Sequence, residues 1–146
     1  MSRQLADVNV LLALLWPRHE SHAAAHAWFL KSGHRAWATN PLTQLSVLRL
    51  LTNPAVTQGV VSAVTALRVL GEATSHAGHE FWPLDREPAT GLKLLAGRVR
   101  GHQQWMDALL LGQSADRDGV LVTFDSGMKE LAGADFGDHL LLLKHR

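Results

Sequence analysis

Short apolar runs alternate along the chain with longer segments of mixed character, and Gly, Pro and Asn residues separate them. The apolar runs predict strands at residues 4–8, 35–39, 79–83, 120–124 and 139–143. The longer segments predict helices at residues 9–16, 19–31, 41–51, 57–72, 87–99, 105–115 and 126–131. Strands separated by helices of this length are typical of an α/β domain, with a mostly parallel sheet between helical layers.

Helix boundaries are marked by residues with known terminal preferences. Pro17 ends the first predicted helix and the Ser32-Gly33 pair ends the second. Asn40-Pro41 predicts a helix start, with the Asn as N-cap and the Pro in the first turn. Ser126 is the expected cap of the last helix.

The composition fits one globular domain over residues 1–146. Hydrophobic residues make up 47% of the chain and charged residues 18%, a balance that argues against intrinsic disorder. The absence of cysteine excludes disulfides, thiolate metal sites and cysteine nucleophiles. The formal net charge is only +1, so any contact with nucleic acid must come from a local basic patch.

No apolar run approaches the roughly 18 residues that a membrane-spanning helix needs. The run at residues 10–16 follows Arg3 as a signal-peptide core would, but it is short for that role. We therefore expect a cytoplasmic protein without a membrane anchor.

Three aspartates fall at positions where α/β proteins build their sites. Asp7 and Asp125 follow predicted strands, and Asp107 lies in the first turn of an apolar helix. Each has a structural alternative, because Asp7 and Asp125 could cap helices and Asp107 could complement a helix dipole. Together they suit phosphoryl transfer, in which several carboxylates hold one or two divalent cations, and oxygen ligands favour Mg²⁺ or Mn²⁺.

These segments, taken in order, resemble the PIN domain, and more narrowly the VapC-type ribonuclease toxins of bacterial type II toxin–antitoxin systems. The resemblance covers almost the whole chain. It is carried by the segments at residues 7–12, 37–46 and 104–109, by 122–125, and by Arg49, Asn53-Pro54, His22, Ala25 and Trp28.

The resemblance implies a PIN-like three-layer α/β/α fold with a mostly parallel five-stranded sheet. It implies an endoribonuclease toxin that uses Mg²⁺ or Mn²⁺ and a metal-activated water. We expect a cognate antitoxin as partner, in a homodimer or a toxin–antitoxin hetero-oligomer. Asp7, Asp107 and Asp125 match acidic, metal-binding positions, and Asn9 and Thr123 match polar residues that orient them.

Gln44 stands where many PIN domains carry a glutamate. An amide adds no negative charge, so a cation should bind more weakly. The alternative function is therefore an RNA-binding PIN-like module with weak or lost catalysis. A rival from another class, a phosphatase or receiver-like domain with Asp7 as nucleophile, would form an aspartyl-phosphate.

Basic residues that could contact RNA follow the third predicted strand. Residues 86–100 hold Arg86, Lys93, Arg98 and Arg100 against a single acid, Glu87, and His102 follows. An exposed charged helix explains them equally well. Arg49, on the same predicted helix as Gln44, could also bind phosphate.

Further candidates have plainer explanations. His19, His22 and His26 share a helix face at metal-ligand spacing, although a solvated helix explains them better. Asp116 is either surface charge or an auxiliary ligand. Trp16, Trp28 and Trp37 are expected in the core, and Trp82 and Trp105 either support the fold or stack on bases.

Overall fold

The computed structural model describes residues 2–145. The strands are β1 (Gln4–Ala6), β2 (Trp37–Thr39), β3 (His79–Phe81), β4 (Val120–Thr123) and β5 (Leu140–Leu142). The α-helices are α1 (Val8–Leu15), α2 (His22–Lys31), α3 (Pro41–Leu51), α4 (Pro54–Thr57), α5 (Ala63–Thr74), α6 (Pro88–Gly91), α7 (Gln104–Asp116) and α8 (Met128–Ala132). Short 3₁₀ turns lie at Gly33–Arg35, Ala96–Arg98 and Gly137–His139.

The strands form one five-stranded sheet in the order β3-β2-β1-β4-β5. Each neighbouring pair is parallel, so the mostly parallel sheet expected from the sequence is wholly parallel within the described residues. β1 lies at the centre, with Leu5 opposite Ala38 of β2 on one side and Leu121 of β4 on the other. All carboxyl ends therefore meet at one edge, where sites of open α/β sheets form.

Two apolar clusters cover the two faces of the sheet and make the fold a three-layer α/β/α structure. Successive strand residues point to opposite faces: Ala6 packs into one cluster and Leu5 into the other. The first cluster joins α1, α2, α3 and α5 through Leu11, Trp28 and Val47, among others. The second joins α7 and α8 and contains Leu110, Leu111, Met128 and Leu131. The α/β/α fold expected from the sequence is confirmed.

Helix α3 begins as the sequence predicts. The Asn40 side chain accepts a hydrogen bond from Thr43 N at 2.8 Å, and Thr43 Oγ1 accepts one from Asn40 N at 3.0 Å. Pro41 occupies the first turn. This reciprocal capping box fixes the start of α3 next to the end of β2.

Three sequence-based elements differ from the structure. The single helix expected at residues 57–72 is α4 followed by α5, because Gln58 and Gly59 adopt left-handed backbone angles with φ of 55° and 72°. The helix expected at 87–99 contains only α6 and a 3₁₀ turn, in a segment with glycines at 91 and 97. Ser126 does not cap α8, whose N-cap is Gly127.

Within residues 2–145, no helix combines the length and the apolar character that a membrane crossing requires.

Candidate active site

Two aspartates sit side by side at the carboxyl edge of the sheet. Asp7 directly follows β1, and Asp125 lies two residues after the end of β4. The parallel pairing of Ala6 with Val122 places these chain ends in register, and Asp7 N donates to Val122 O at 2.9 Å. Strand connectivity thus brings together two carboxyls that are more than a hundred residues apart in sequence.

The Thr123 hydroxyl links the side chains of this pair. Thr123 Oγ1 donates to Asp7 Oδ2 at 2.7 Å and accepts hydrogen bonds from Asn9 Nδ2 and from Asp125 N, each at 3.1 Å. One proton and two lone pairs are the full capacity of a hydroxyl, so the three contacts fix its orientation. Asn9 is held in turn, because its Oδ1 accepts from Phe124 N at 3.1 Å.

Asp7 and Asp125 also make the local contacts that the capping alternative predicted. Asp7 Oδ1 accepts from Val8 N at 2.7 Å, and Asp125 Oδ1 accepts from Gly127 N at 2.9 Å. Each contact uses one carboxylate oxygen. The second oxygen of Asp7 faces Thr123, and that of Asp125 has no hydrogen-bond partner among the described residues. Capping and clustering therefore coexist at both aspartates.

Asp107 approaches the pair from the first turn of α7. Burial, and then the charges of Asp7 and Asp125, raise the pKa of Asp107 to about 6. Burial is also the main reason that the pKa of Asp7 is raised, with repulsion from Asp125 adding to it and the hydrogen bonds from Thr123 and Val8 opposing it. The three carboxyls lie close enough for each to disfavour ionisation of another.

No basic side chain compensates this charge among residues 2–145. The ion pairs of the structure lie elsewhere and join Arg3 to Glu80, Arg68 to Glu72, Arg86 to Asp116, Arg98 to Asp135 and Arg117 to Asp85. Buried carboxylates without a basic partner are costly. An added cation would relieve both the burial and the repulsion.

Carboxylate oxygens are suitable ligands for a hard divalent cation, but these residues do not supply its complete coordination shell. In the described part of the chain, no three His, Asp or Glu side chains form a group that could hold a metal ion by themselves. Asp7, Asp107 and Asp125, which the sequence predicts to hold one or two divalent cations, therefore do not form a three-residue metal group by themselves. Mg²⁺ is commonly held by one or two carboxylates, with water and substrate phosphate completing its shell, and this donor set fits that mode.

The raised pKa of Asp107 predicts a specific dependence of stability on pH in metal-free buffer. Between its unfolded pKa near 4 and its folded pKa of about 6, the folded state binds more protons than the unfolded state, so this group lowers stability as pH rises. The Asp107→Asn variant should match wild type below pH 4 and exceed it by about 1–2 kcal/mol at pH 7, after allowance for solvent screening.

Urea unfolding at pH 4 to 7.5, with chelator present, measures this difference. Asp138→Asn is the matched control, since Asp138 is exposed and makes no ion pair among the described residues. A stability difference for Asp107→Asn that does not change with pH would contradict the assigned charge interaction.

Gln44 lies at the same edge, one strand away from Asp7. Its Nε2 donates to Thr39 Oγ1 at 2.9 Å, and Thr39 ends β2, the neighbour of β1. Thr39 Oγ1 also contacts His79 Nε2 at 2.8 Å. Neither Thr39 nor His79 was a candidate from sequence, although Thr39 ends a predicted strand and so falls at the edge where a site was expected.

Two of the five residues predicted to contact RNA form ion pairs. Arg86 lies 3.1 Å from Asp116, and Arg98 lies 2.6 Å from Asp135 and donates to the carbonyls of Leu131 and Ala132. The contacts of Arg98 attach it to the end of α8. Asp116 is the last residue of α7, about 13 Å along the helix axis from Asp107, and so lies away from the acidic cluster. Arg49, Arg100 and His102 are exposed and make no ion pair within the described chain.

The histidines of the second helix serve the fold. His22 Nδ1 contacts Ala13 O at 2.7 Å, and its ring stacks on that of His26 at 5.7 Å. His19 Nδ1 accepts from Ser21 N at 3.0 Å. The contact of His22 joins α2 to α1, and no group that could hold a metal ion forms among the described residues.

The tryptophans divide between core and surface. Trp28, Trp37 and Trp82 are buried, as expected for structural residues, and Trp16 is partly buried. Trp105 is 48% exposed near the start of α7, two residues before Asp107.

Comparison with known proteins decides the family. The model of the PIN domain matches residues 5–134. The chain belongs to the PIN domain family.

Its relatives place it among the VapC-type PIN proteins. Ribonuclease VapC39 of Mycobacterium tuberculosis is 39% identical over 130 residues, which are 89% of this chain and 94% of that protein. Ribonuclease VapC29 of the same organism is 41% identical over 133 residues, covering 88% and 90% of the two chains. Ribonuclease VapC38 is 37% identical over 131 residues, covering 88% and 89%.

A solved structure has a similar fold. The crystal structure of PAE2754 from Pyrobaculum aerophilum superposes with a TM-score of 0.62 at 24% identity, over 95% of this chain and 83% of that one. At this identity the similarity concerns the fold alone.

Proposed function

We propose that this PIN protein is an endoribonuclease toxin that depends on Mg²⁺ or Mn²⁺. One observation carries the proposal: three carboxyls meet at the carboxyl edge of the sheet, and no ion pair within the described chain balances their charge. Burial, and then the neighbouring carboxylates, raise the pKa values of Asp7 and Asp107 there. The ribonuclease names of the VapC relatives support RNA as the substrate. The location that fits cleavage of cellular RNA is the cytoplasm.

The chain's own residues have separate tasks in this proposal. Asp7, together with Asp107 or the free oxygen of Asp125, would hold the cation, and Thr123 and Asn9 keep Asp7 in place. When bound, the cation polarises the scissile phosphate, lowers the pKa of the attacking water and stabilises the departing oxygen. Burial of Asp7 limits the positions that its carboxylate can take.

RNA would reach the acidic edge with help from the exposed basic residues. Arg49, Arg100 and His102 have no ion pair within the described chain and are available to phosphate. Arg86 and Arg98 are committed to Asp116 and Asp135, so we assign them a smaller part.

A protein partner would cover the apolar surface of the first helical layer. Leu45 on α3 and Val64 and Leu67 on α5 are 60%, 81% and 62% exposed. A contiguous exposed apolar surface is typical of interaction sites. We propose that a cognate antitoxin or a second copy of the chain packs there.

The chemistry of cleavage tests the proposed function directly. Attack by water forms a new P–O bond and breaks a bond to a ribose oxygen, and the 2′-hydroxyl takes no part in it. An oligonucleotide with one 2′-deoxy residue at the cleaved linkage should therefore be cut at about the same rate as the all-ribose oligonucleotide. Products that end in 2′,3′-cyclic phosphate, together with protection by the 2′-deoxy residue, would contradict water attack.

The alternative, an RNA-binding module with weak or lost catalysis, is favoured by Gln44. Gln44→Glu should lower the Mg²⁺ concentration for half-maximal cleavage by about 10-fold, because it adds a fourth negative charge near the cation. Gln58→Glu adds the same charge at the exposed end of α4 and is the matched control. Cleavage by Gln44→Glu without any cleavage by wild type would establish the alternative, and equal Mg²⁺ requirements would show that the amide is not limiting.

A further inference from the structure

The amide of Gln44 is the first link in a chain of three side chains. Gln44 Nε2 donates to Thr39 Oγ1 at 2.9 Å. Thr39 is fully buried at the end of β2, and its neighbour Ala38 pairs with Leu5 of β1. Strands in a sheet lie about 4.8 Å apart, so the anchored Gln44 side chain stands beside the end of β1, where Asp7 begins the acidic edge.

The second link joins Thr39 to the next strand. Thr39 Oγ1 lies 2.8 Å from Nε2 of His79, the first residue of β3. The backbone of Thr74 also acts on the His79 ring, where it opposes the lowering of the His79 pKa. Because Nε2 faces Thr39, Nδ1 is the ring nitrogen that remains for the Thr74 carbonyl. These contacts therefore connect α3 to β2, β2 to β3, and β3 to the end of α5.

The available donors and acceptors give the hydrogen bonds among these three side chains a direction. A Gln amide nitrogen can only donate, so Thr39 Oγ1 accepts from Gln44 and its own proton is left for His79. His79 Nε2 can accept that proton only when the ring is neutral and Nδ1 carries the hydrogen. Donation from Nδ1–H to the Thr74 carbonyl would select that tautomer. Every donor in the chain then meets an acceptor.

We propose that Thr39 and His79 are positioning residues that hold the Gln44 amide with its nitrogen turned inward and its oxygen available at the acidic edge. The inference rests on the proposed nuclease function of this edge. Gln44 Oε1 makes no hydrogen bond within residues 2–145, so it is the atom left for a water, a cation or a phosphate-bound group. A freely rotating amide would present its nitrogen, a donor, as often as its oxygen.

The surroundings of His79 keep its ring neutral. Burial is the largest influence and lowers the pKa of His79, and the charge of Arg3 lowers it further. The Thr74 carbonyl and the Glu80 carboxylate oppose these effects. Trp37 packs edge-on against the ring with 4.7 Å between centroids. The neutral ring is the form that the direction of the chain requires.

Replacing Gln44 by glutamate should reverse the direction of the hydrogen bonds that join residues 44, 39 and 79. A carboxylate cannot donate to Thr39, so the Thr39 hydroxyl would turn to donate to residue 44 and present a lone pair to His79. That arrangement is favourable only when His79 Nε2 carries a proton. Gln44→Glu should therefore raise the pKa of His79, which links the residue type at position 44 to the protonation of a histidine on another strand.

Nuclear magnetic resonance of the metal-free and RNA-free protein tests the hydrogen bonds among Gln44, Thr39 and His79 without reference to activity. His79→Gln identifies the His79 signals by their loss. In wild type and Thr39→Ser we expect neutral His79 with its proton on Nδ1 at pH 7, and the same Gln44 side-chain amide signals. Thr39→Val keeps the shape of the side chain, removes the hydroxyl, and should shift the signals of both residues. A proton on Nε2 in wild type, or Gln44 signals unchanged in Thr39→Val, would overturn the inference.

Cleavage kinetics test the positioning role. Thr39→Val should lower kcat by about 10-fold, the usual effect of removing a group that orients a site residue, with KM within about twofold of wild type. Thr39→Ser should retain wild-type kcat. Equal kcat values for the two variants would refute the positioning role. If wild type itself cleaves no RNA, the proposed function fails, whereas the resonance signals still decide whether Thr39 and His79 orient the amide.

Discussion

Asp7→Asn should lower RNA cleavage by about 10²–10³-fold while leaving the protein folded. Asp7 is buried at the end of the central strand, and its carboxylate receives hydrogen bonds from Thr123 and Val8. An amide fills the same space but removes the charge that would hold the cation, and loss of one preorganised electrostatic group costs a catalytic site about 10²–10³-fold or more.

The comparison needs a variant that changes a carboxyl away from the site. Asp138→Asn has the same chemistry at an exposed position, and it should retain wild-type cleavage. Circular dichroism and a thermal melt show whether Asp7→Asn is folded. Induced expression in a bacterial host adds a second measurement: wild type should arrest growth and produce discrete RNA fragments, and Asp7→Asn should do neither. A folded Asp7→Asn protein with wild-type cleavage would remove Asp7 from the mechanism.

Removal of divalent cations should abolish cleavage, with a loss of at least about 10³-fold that Mg²⁺ or Mn²⁺ restores. The reason is electrostatic. Without a cation, burial and then the charges of Asp7 and Asp125 raise the pKa of Asp107, and the same negative charges oppose an approaching phosphate. A bound cation reverses this interaction and lowers the pKa of Asp107.

The same prediction extends to stability. A cation that binds only the folded protein raises its melting temperature as the cation concentration rises. Mg²⁺ or Mn²⁺ should therefore raise the melting temperature of wild type and of Asp138→Asn, and should have a much smaller effect on Asp107→Asn. Full cleavage in the presence of chelator would contradict the metal-dependent function, whatever the melting temperatures show.

The central fold could be predicted from sequence because its signals are local. Each expected strand is present, and the bounds of α3 are those expected, since Asn40, Pro41 and Thr43 supply the cap through contacts within one turn. The expected helix at residues 57–72 was wrong at its start. The left-handed conformations of Gln58 and Gly59 interrupt it. A glutamine in the sequence does not predict such a conformation.

The partners of charged residues could not be predicted in this way. Arg98 belongs to the richest basic segment of the sequence, but Asp135 and two carbonyls around α8 take up its guanidinium. Those groups are more than thirty residues away along the chain. A count of charges within a segment contains no information about such long-range contacts, so it overestimates the charge available to RNA.

The position of the acidic site could be predicted from the sequence, but its geometry could not. Strand ends of a parallel sheet meet at one edge, which places Asp7 and Asp125 together from topology alone. Their approach to Asp107 depends on how α7 packs, and their spacing leaves no three-residue metal group among the described residues. The links from Gln44 to Thr39 and His79 depend on the register of β2 and β3, which no local pattern specifies.

The location of a bound Mn²⁺ ion tests the central claim most directly. Anomalous diffraction from crystals grown with Mn²⁺ finds the ion without assumptions about activity. The account predicts one or two anomalous peaks at the carboxyl edge, within about 2.0–2.3 Å of oxygens of Asp7 and of Asp107 or Asp125, with water completing the shell. Mn²⁺ bound only elsewhere, or no peak at this edge at saturating Mn²⁺, would contradict it.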